Sequence, residues 1–303
     1  MKYSIRGIVI MASEPCVPPA KWDYYSSGAI IGTFGTPEVK DPVQGKYLNN
    51  CSLIAAFASL AWKGKIGAQP QDPRITTYTF QFYNPNKQQK ADGKTPLDAN
   101  VKLMHAKSDT TTEIWPALYE KAYYMWLDKI DAPDGRPNYC KYIGWQSPET
   151  VLPQLTGAVV KKKLCLNQSS DNVFSDINDN LCTNFNPVVT NRTLLYPAVA
   201  WTYDSRVYNP NGAVYSDTTI ASQHTYSLLG VTGTKAGAVW TSKYIVLRNP
   251  YGMGKGDPAI TPPFLNEHFF KGAWCGFNLG IADGIFALRA DQFVKYFEAY
   301  AWV

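Results

Sequence analysis

The chain has 303 residues, 45% of them hydrophobic and 14% aromatic, with 21 prolines and 22 glycines. This is the composition of a globular chain rich in turns, long enough for one large domain or two medium ones, and it has no apolar run near the roughly 20 residues of a membrane span. Twenty-nine basic against 24 acidic residues leave a net charge of +5, too mild for a nucleic-acid footprint; the run Lys161–Lys163 is short and reads as a solvated turn.

In chain order, Met1–Met11 has an apolar stretch after Arg6 that is shorter than the roughly 7–15 residues of a signal-peptide core, so it reads as a β-strand. Residues 52–62 then place Leu53, Ile54, Phe57, Leu60 and Ala61 on one helical face. Asn49 and Asn50 are candidate N-caps, which sets Cys51 in the first turn of a buried helix. There the helix dipole and free N–H groups favour a thiolate. Residues 66–100 are polar and read as loops or short strands. A second helix is expected over 112–128, with Ile114, Leu118, Ala122 and Met125 as its stripe and Pro116 in its first turn.

Residues 161–193 are rich in Asn, Asp and Ser and read as a long surface loop. Within it Asp176, Asn178 and Asn180 imitate the start of an EF-hand loop. Leu181 stands at the sixth position and Pro187 at the twelfth, where Gly and Glu are needed, so a plain loop is the better reading. Strands follow over 196–203, 222–231, 238–248 and 284–289, and a helix over 290–300 closes the chain. Gly252, Gly254 and Gly256 form a glycine-rich loop with no helix after it, which argues against phosphate binding.

Six cysteines, Cys16, Cys51, Cys140, Cys165, Cys182 and Cys275, contain no C-x-x-C pair, so zinc is not indicated. With Cys51 reserved as a nucleophile, five remain and cannot all pair, which favours a reducing compartment. The expected location is cytoplasmic, with an exported effector lacking a signal peptide as the alternative.

The chemistry lies in four residues. Gln44 precedes Cys51, His224 follows in Ser222-Gln-His-Thr-Tyr-Ser, and Asn249 follows in Leu247-Arg-Asn-Pro-Tyr-Gly252. A thiol that attacks a carbonyl, an imidazole that moves protons and an amide that orients the imidazole resemble the papain-type arrangement. His105 and His268 sit in no comparable context.

Around these residues the chain resembles the protease core of the calpain family, from about Asp41 to Tyr300. The segments are Asn50-Cys-Ser-Leu-Ile-Ala-Ala-Phe57, Glu113-Ile-Trp-Pro-Ala-Leu-Tyr-Glu-Lys-Ala-Tyr123, Leu155-Thr-Gly157, His224-Thr-Tyr-Ser-Leu-Leu-Gly-Val231, Tyr244–Gly252, and Asp283-Gly-Ile-Phe286 with Asp291–Phe297. Each is weak by itself; six in the family's order are specific. The resemblance implies an α+β, papain-like fold of two lobes. Residues 1–157 would form a helical lobe with Gln44 and Cys51. Residues 158–303 would form an antiparallel β lobe with His224 and Asn249, across a cleft. It implies a cysteine endopeptidase working through a thioester on Cys51, with Gln44 in the oxyanion hole and Tyr251 and Gly252 supporting the cleft.

Ser52 stands where the family carries Trp, Asn50 where it carries Asp, and Tyr251 where an aromatic shield is Trp. No cofactor is required by this chemistry. Calcium is the ion the resemblance allows, with Glu113 and Asp283 as candidate ligands and Ile285 in place of a usual Glu. The chain resembles a minimal catalytic core without the family's C2-like and EF-hand domains. Its expected partner is a protein or peptide substrate, with a regulatory partner or flanking domain allowed; no nucleic acid or membrane span is expected. Three other readings share the sequence: a protease toxin or effector, a silent calpain-like binding module, and acyl transfer through the same thioester.

Overall fold

The computed structural model describes residues 21–24, 35, 37–45, 49–67, 69, 77–84, 86–92, 94–97, 106, 108, 113–128, 146–183, 189–204, 208, 210–215, 220–252, 268–279 and 284–303. The strand expected at Met1–Met11, together with Cys16, His105, Cys140, Gly254, Gly256 and Asp283, lies outside them.

The fold is α+β. Among the described residues strand β1 (Lys21–Tyr24) comes first, and helix α1 (Cys51–Trp62) follows. Next come the antiparallel hairpin β2 (Thr77–Phe82) and β3 (Lys87–Asp92), and β4 (Lys94–Leu97), which pairs with β1. Two helices, α2 (Trp115–Asp128) and α3 (Pro148–Thr156), complete the first half. The alternation of Tyr78, Phe80 and Phe82 puts three rings on the buried face of β2. Phe80 stacks on Tyr119 of α2 at 5.1 Å, Phe82 on Trp126 at 5.4 Å, and Phe57 of α1 on Tyr119 at 4.6 Å. Each of these buried rings is worth roughly 2–3 kcal/mol, and they lock α1 to α2 and the hairpin.

The second half builds one seven-stranded antiparallel sheet. Its strands are β5 (Lys161–Leu164), β6 (Arg192–Thr193), β7 (Ala198–Thr202), β8 (Thr225–Ala236), β9 (Val239–Arg248), β12 (Ile285–Arg289) and β13 (Phe297–Trp302). The order is β12-β9-β8-β7-β13-β5, with β6 beside β8. A separate hairpin, β10 (Gly272–Trp274) with β11 (Phe277–Leu279), lies between β9 and β12 in the chain. Period-two alternation divides the strands between two cores. Val199, Trp201, Ala299 and Ala301 join the core of α1, α2 and α3. Ala198, Ala200 and Tyr300 join the core of α4 (Ser170–Ser175), a π-helical turn (Asp176–Leu181) and α5 (Ala290–Tyr296).

The loop expected over 161–193 is corrected here. It holds β5, α4 and the π-helical turn, because Val173, Phe174, Ile177 and Leu181 recur at helical spacing and are buried in the second core. Lys161–Lys163 belongs to an edge strand, not a turn. The EF-hand imitation is instead helical, with Asp176 accepting from Lys163, Tyr300 and Asn180, and Asn178 held by Arg192. The closing helix ends at Tyr296, and the chain continues as β13, whose every other residue feeds a different core.

Candidate active site

Helix α1 lies along β8 through a repeating contact. Ser52 Oγ and Thr225 Oγ1 are 2.9 Å apart, Ser227 Oγ donates to the Ala55 carbonyl at 2.7 Å, and Leu229 shares a core with Ala58. Every third residue of α1 (Ser52, Ala55, Ala58) thus meets every second residue of β8 (Thr225, Ser227, Leu229). This register sets Cys51, the first residue of α1, beside Thr225, the first residue of β8 and the neighbour of His224.

Asn50 occupies the N-cap position, but its side chain makes no cap hydrogen bond, contrary to expectation. Its Nδ2 donates instead to the carboxylate of Glu120 and to Tyr124 Oη at 3.1 Å. Glu120, wholly buried in α2, also accepts from the Ala106 N–H at 2.8 Å. The bonds to Glu120 and Tyr124 draw the Asn50 amide into the helical core and away from the cap. Asn50 is fully buried.

The imidazole is held from three sides. His224 Nε2 lies 3.0 Å from Asn249 Oδ1, and the Tyr251 N–H donates to the same oxygen at 3.0 Å. An atom that accepts from a backbone N–H is the amide oxygen, so Nε2 must carry the proton and Nδ1 the lone pair. The Tyr251 ring stacks on the imidazole at 4.4 Å and Tyr226 meets it edge-on at 4.9 Å. His224 precedes β8 and does not lie within it; the strand begins at Thr225. Asn249 follows β9 directly, and its N–H donates to the Gly284 carbonyl at 2.9 Å.

The turn after Asn249 requires glycine. Gly252 adopts φ +68 and packs against Val43, and Gly284 at φ +70 would drive a Cβ to 2.7 Å from the Asn249 carbonyl. The segment that carries Gln44 is fastened to this turn. The Gln44 N–H donates to the Pro250 carbonyl at 2.8 Å. Buried Arg248 donates from Nη1 to the Pro42 carbonyl at 2.8 Å and from Nη2 to the Lys40 carbonyl at 2.6 Å. The Gln44 backbone is thus tied to Pro250, the residue after Asn249, and Gly252 packs on Val43, the residue before Gln44. Sequence reasoning missed the anchoring residues Thr225, Glu120 and Arg248. The available signal was a charge beside apolar residues, at Glu120 within α2 and at Arg248 at the end of β9.

Cys51 is 1% exposed and His224 3%. Burial pushes the Cys51 thiol up, against opposing contacts from Thr225 and Ser52. Burial thus opposes the thiolate that the helix start was expected to favour. Burial also lowers His224 to about 4, while the bond to Asn249 opposes this. Burial thus disfavours the charged form of both groups. Among the described residues no hydrogen bond joins the thiol to the imidazole; its polar neighbours are Thr225 and Ser52.

A family model described as calpain family cysteine protease matches residues 33–259. The chain belongs to the calpain family of cysteine proteases. A thiol protease of Porphyromonas gingivalis (strain ATCC BAA-308 / W83) is 28% identical over 196 residues, which cover 63% of this chain and 36% of that protein. The chain thus matches little more than a third of that relative's length.

Calpain-family membership raises the question of calcium. Glu113 is half-buried, with its carboxyl against Gly35, and Asp283 lies outside the described residues. Among the described residues no three His, Cys, Asp or Glu side chains come together as a ligand set. The described residues do not assemble a calcium site. No helix among them is long and apolar enough to cross a membrane.

Proposed function

We propose that this calpain-family chain is a cysteine endopeptidase with Cys51 as nucleophile, His224 as base and acid, Asn249 as orienting residue and Gln44 in the oxyanion hole. The observation that carries this reading is the His224–Asn249 bond, with its acceptor fixed by the Tyr251 N–H. It leaves Nδ1 as a proton acceptor on the residue adjoining Thr225, the thiol's neighbour.

In this mechanism the thiol proton passes to Nδ1 and the sulfur attacks the peptide carbonyl. The Gln44 amide and the Cys51 N–H would stabilise the oxyanion, and removing one such donor typically costs about 10²–10³ in rate. The imidazolium gives its proton to the leaving amine, and water then hydrolyses the thioester by the reverse steps. Tyr251 shields the Asn249–His224 bond from water. In this reading the lobes are residues 1–157 and 158–303 in a papain-like, two-lobed fold, with the substrate in the cleft between α1 and the start of β8. Because burial disfavours both charged forms, approach of the lobes and the substrate is the step that creates the ion pair.

The test is cleavage of casein by the wild-type chain and by Cys51→Ala, each with calcium and with chelator. The reading expects cleavage by the wild type and none by the variant at equal thermal stability. Equal cleavage by both would overturn it. Comparison of the chelator and calcium arms measures any ion dependence directly.

A further inference from the structure

Among the described residues the sheet ends at β5, and that edge is open. β5 pairs with β13 on one side and, among the described residues, with no strand on the other. All four of its residues are exposed. The Cys165 N–H donates to the Glu298 carbonyl at 2.8 Å, and the same register sets Lys163 opposite Tyr300 and Lys161 opposite Trp302. Backbone groups alternate sides along an antiparallel strand. Those of Lys161 and Lys163 therefore face β13, and those of Lys162 and Leu164 face outward.

Lysines usually blunt such an edge. Here two are drawn off it, one over each face of the sheet. Lys162 Nζ reaches Glu149 of α3 at 2.6 Å, and Lys163 pairs with Asp176 of the π-helical turn. Leu164 is left 51% exposed between the outward amides. An open cleft of about 840 Å³ adjoins this edge, with Lys162 and Leu164 on one wall and Asn172, Asp179 and Asn180 on the other. The far wall includes the π-helical turn, a rare conformation concentrated at functional sites.

We propose that the outer edge of β5 is an exosite at which an extended, polar segment of the protein substrate adds as a further strand. This rests on the endopeptidase reading above. Main-chain hydrogen bonds to Lys162 and Leu164 supply the affinity, and the cleft sorts alternate side chains. Asn172, Asp179 and Asn180 suit hydrogen-bonding side chains, and Leu164 offers an apolar contact. The end of β5 at Leu164 lies on the same side of the sheet as His224, because the Thr202 N–H donates to the His224 carbonyl and Thr202 stands opposite Phe297 of β13. From β8 to β5 is three strand spacings, about 14–15 Å, or roughly four to five extended residues.

The experiment measures fluorescence-anisotropy binding of labelled β-casein to the Cys51→Ala chain with and without Lys162→Pro. That proline removes an outward N–H and no bond to β13, and edge strands tolerate it. The expected result is at least about tenfold weaker binding at an unchanged melting temperature. In the active chain the same change should raise KM for casein and leave kcat/KM for a tetrapeptide unchanged. If Lys162→Pro fails to fold, Leu164→Asp carries the test, with weaker casein binding expected. Unchanged binding in a folded variant of either kind overturns the exosite. Lys162-dependent binding by a chain that cleaves nothing keeps the exosite and sinks the protease reading instead.

Discussion

The two halves of the site are buried alike and fixed differently. On the β side the imidazole has an amide acceptor, a stacked ring and an edge-on ring, so its tautomer and plane are both set. On the helical side the thiol has Thr225 and Ser52 as its polar neighbours and no bond to the imidazole among the described residues. Burial then acts with opposite sign on an acid and a base, raising the thiol and lowering the imidazole. The lesson is that the imidazole's orientation is set by its neighbours while burial works against the charged form of both groups.

The strongest way to break this comparison is Cys51→Ala. Loss of the nucleophile should cost about 10⁴-fold or more in rate with no loss of fold, read by casein cleavage beside a thermal melt. Next in size is a pH effect on stability from the imidazole side. An unfolded histidine titrates near 6.5 and folded His224 near 4, so between these values the unfolded chain binds a proton that the folded chain refuses. Stability should be lost as pH falls through that window, by roughly 3 kcal/mol in all. Urea unfolding at several pH values checks this, and His224→Asn should flatten the slope. A slope unchanged in the variant would show that His224 is not the group responsible.

Asn249→Ala should lower kcat by about 10²-fold, on the scale of general acid–base catalysis, because the proton is no longer confined to Nε2. A pH–rate profile shifted along with kcat separates this from simple misfolding. The smallest effect concerns the thiol side. Cys51, Cys165, Cys182 and Cys275 are free thiols, and of these Cys275 is exposed. Iodoacetamide should therefore alkylate Cys275 before Cys51 in the resting chain, by about tenfold or more given thiol access, as followed by peptide mass spectrometry. A substrate-like peptide epoxide should reverse that order. Cys51 reacting first with iodoacetamide would mean the resting thiol is already exposed and ionised.

Much of this was legible in the sequence where periodicity was strong. Leu53, Ile54, Phe57 and Leu60 marked α1, and Ile114, Leu118 and Ala122 marked α2 to within a few residues. The order Gln44, Cys51, His224, Asn249 was legible as a set, and the structure places His224 and Asn249 in contact. Residues 161–193 were not legible, because their stripe of Val173, Phe174, Ile177 and Leu181 is diluted by Asn, Asp and Ser, and its last turn is π-helical. β13 was hidden because Phe297, Ala299, Tyr300 and Ala301 are apolar on both faces, which erases the two-residue period. Glu120 and Arg248 showed only as charges beside apolar residues; their anchoring role was not legible, because their partners, Asn50 and the Lys40 and Pro42 carbonyls, lie far away in sequence.

The most direct test of the account is to trap the acyl-enzyme. The wild-type chain is mixed with a peptide ester, quenched in acid within milliseconds and digested for mass spectrometry. The account predicts the acyl mass on the peptide that contains Cys51, reduced in Asn249→Ala and absent in Cys51→Ala. Turnover with the acyl group on another residue, or turnover that survives Cys51→Ala, would contradict it.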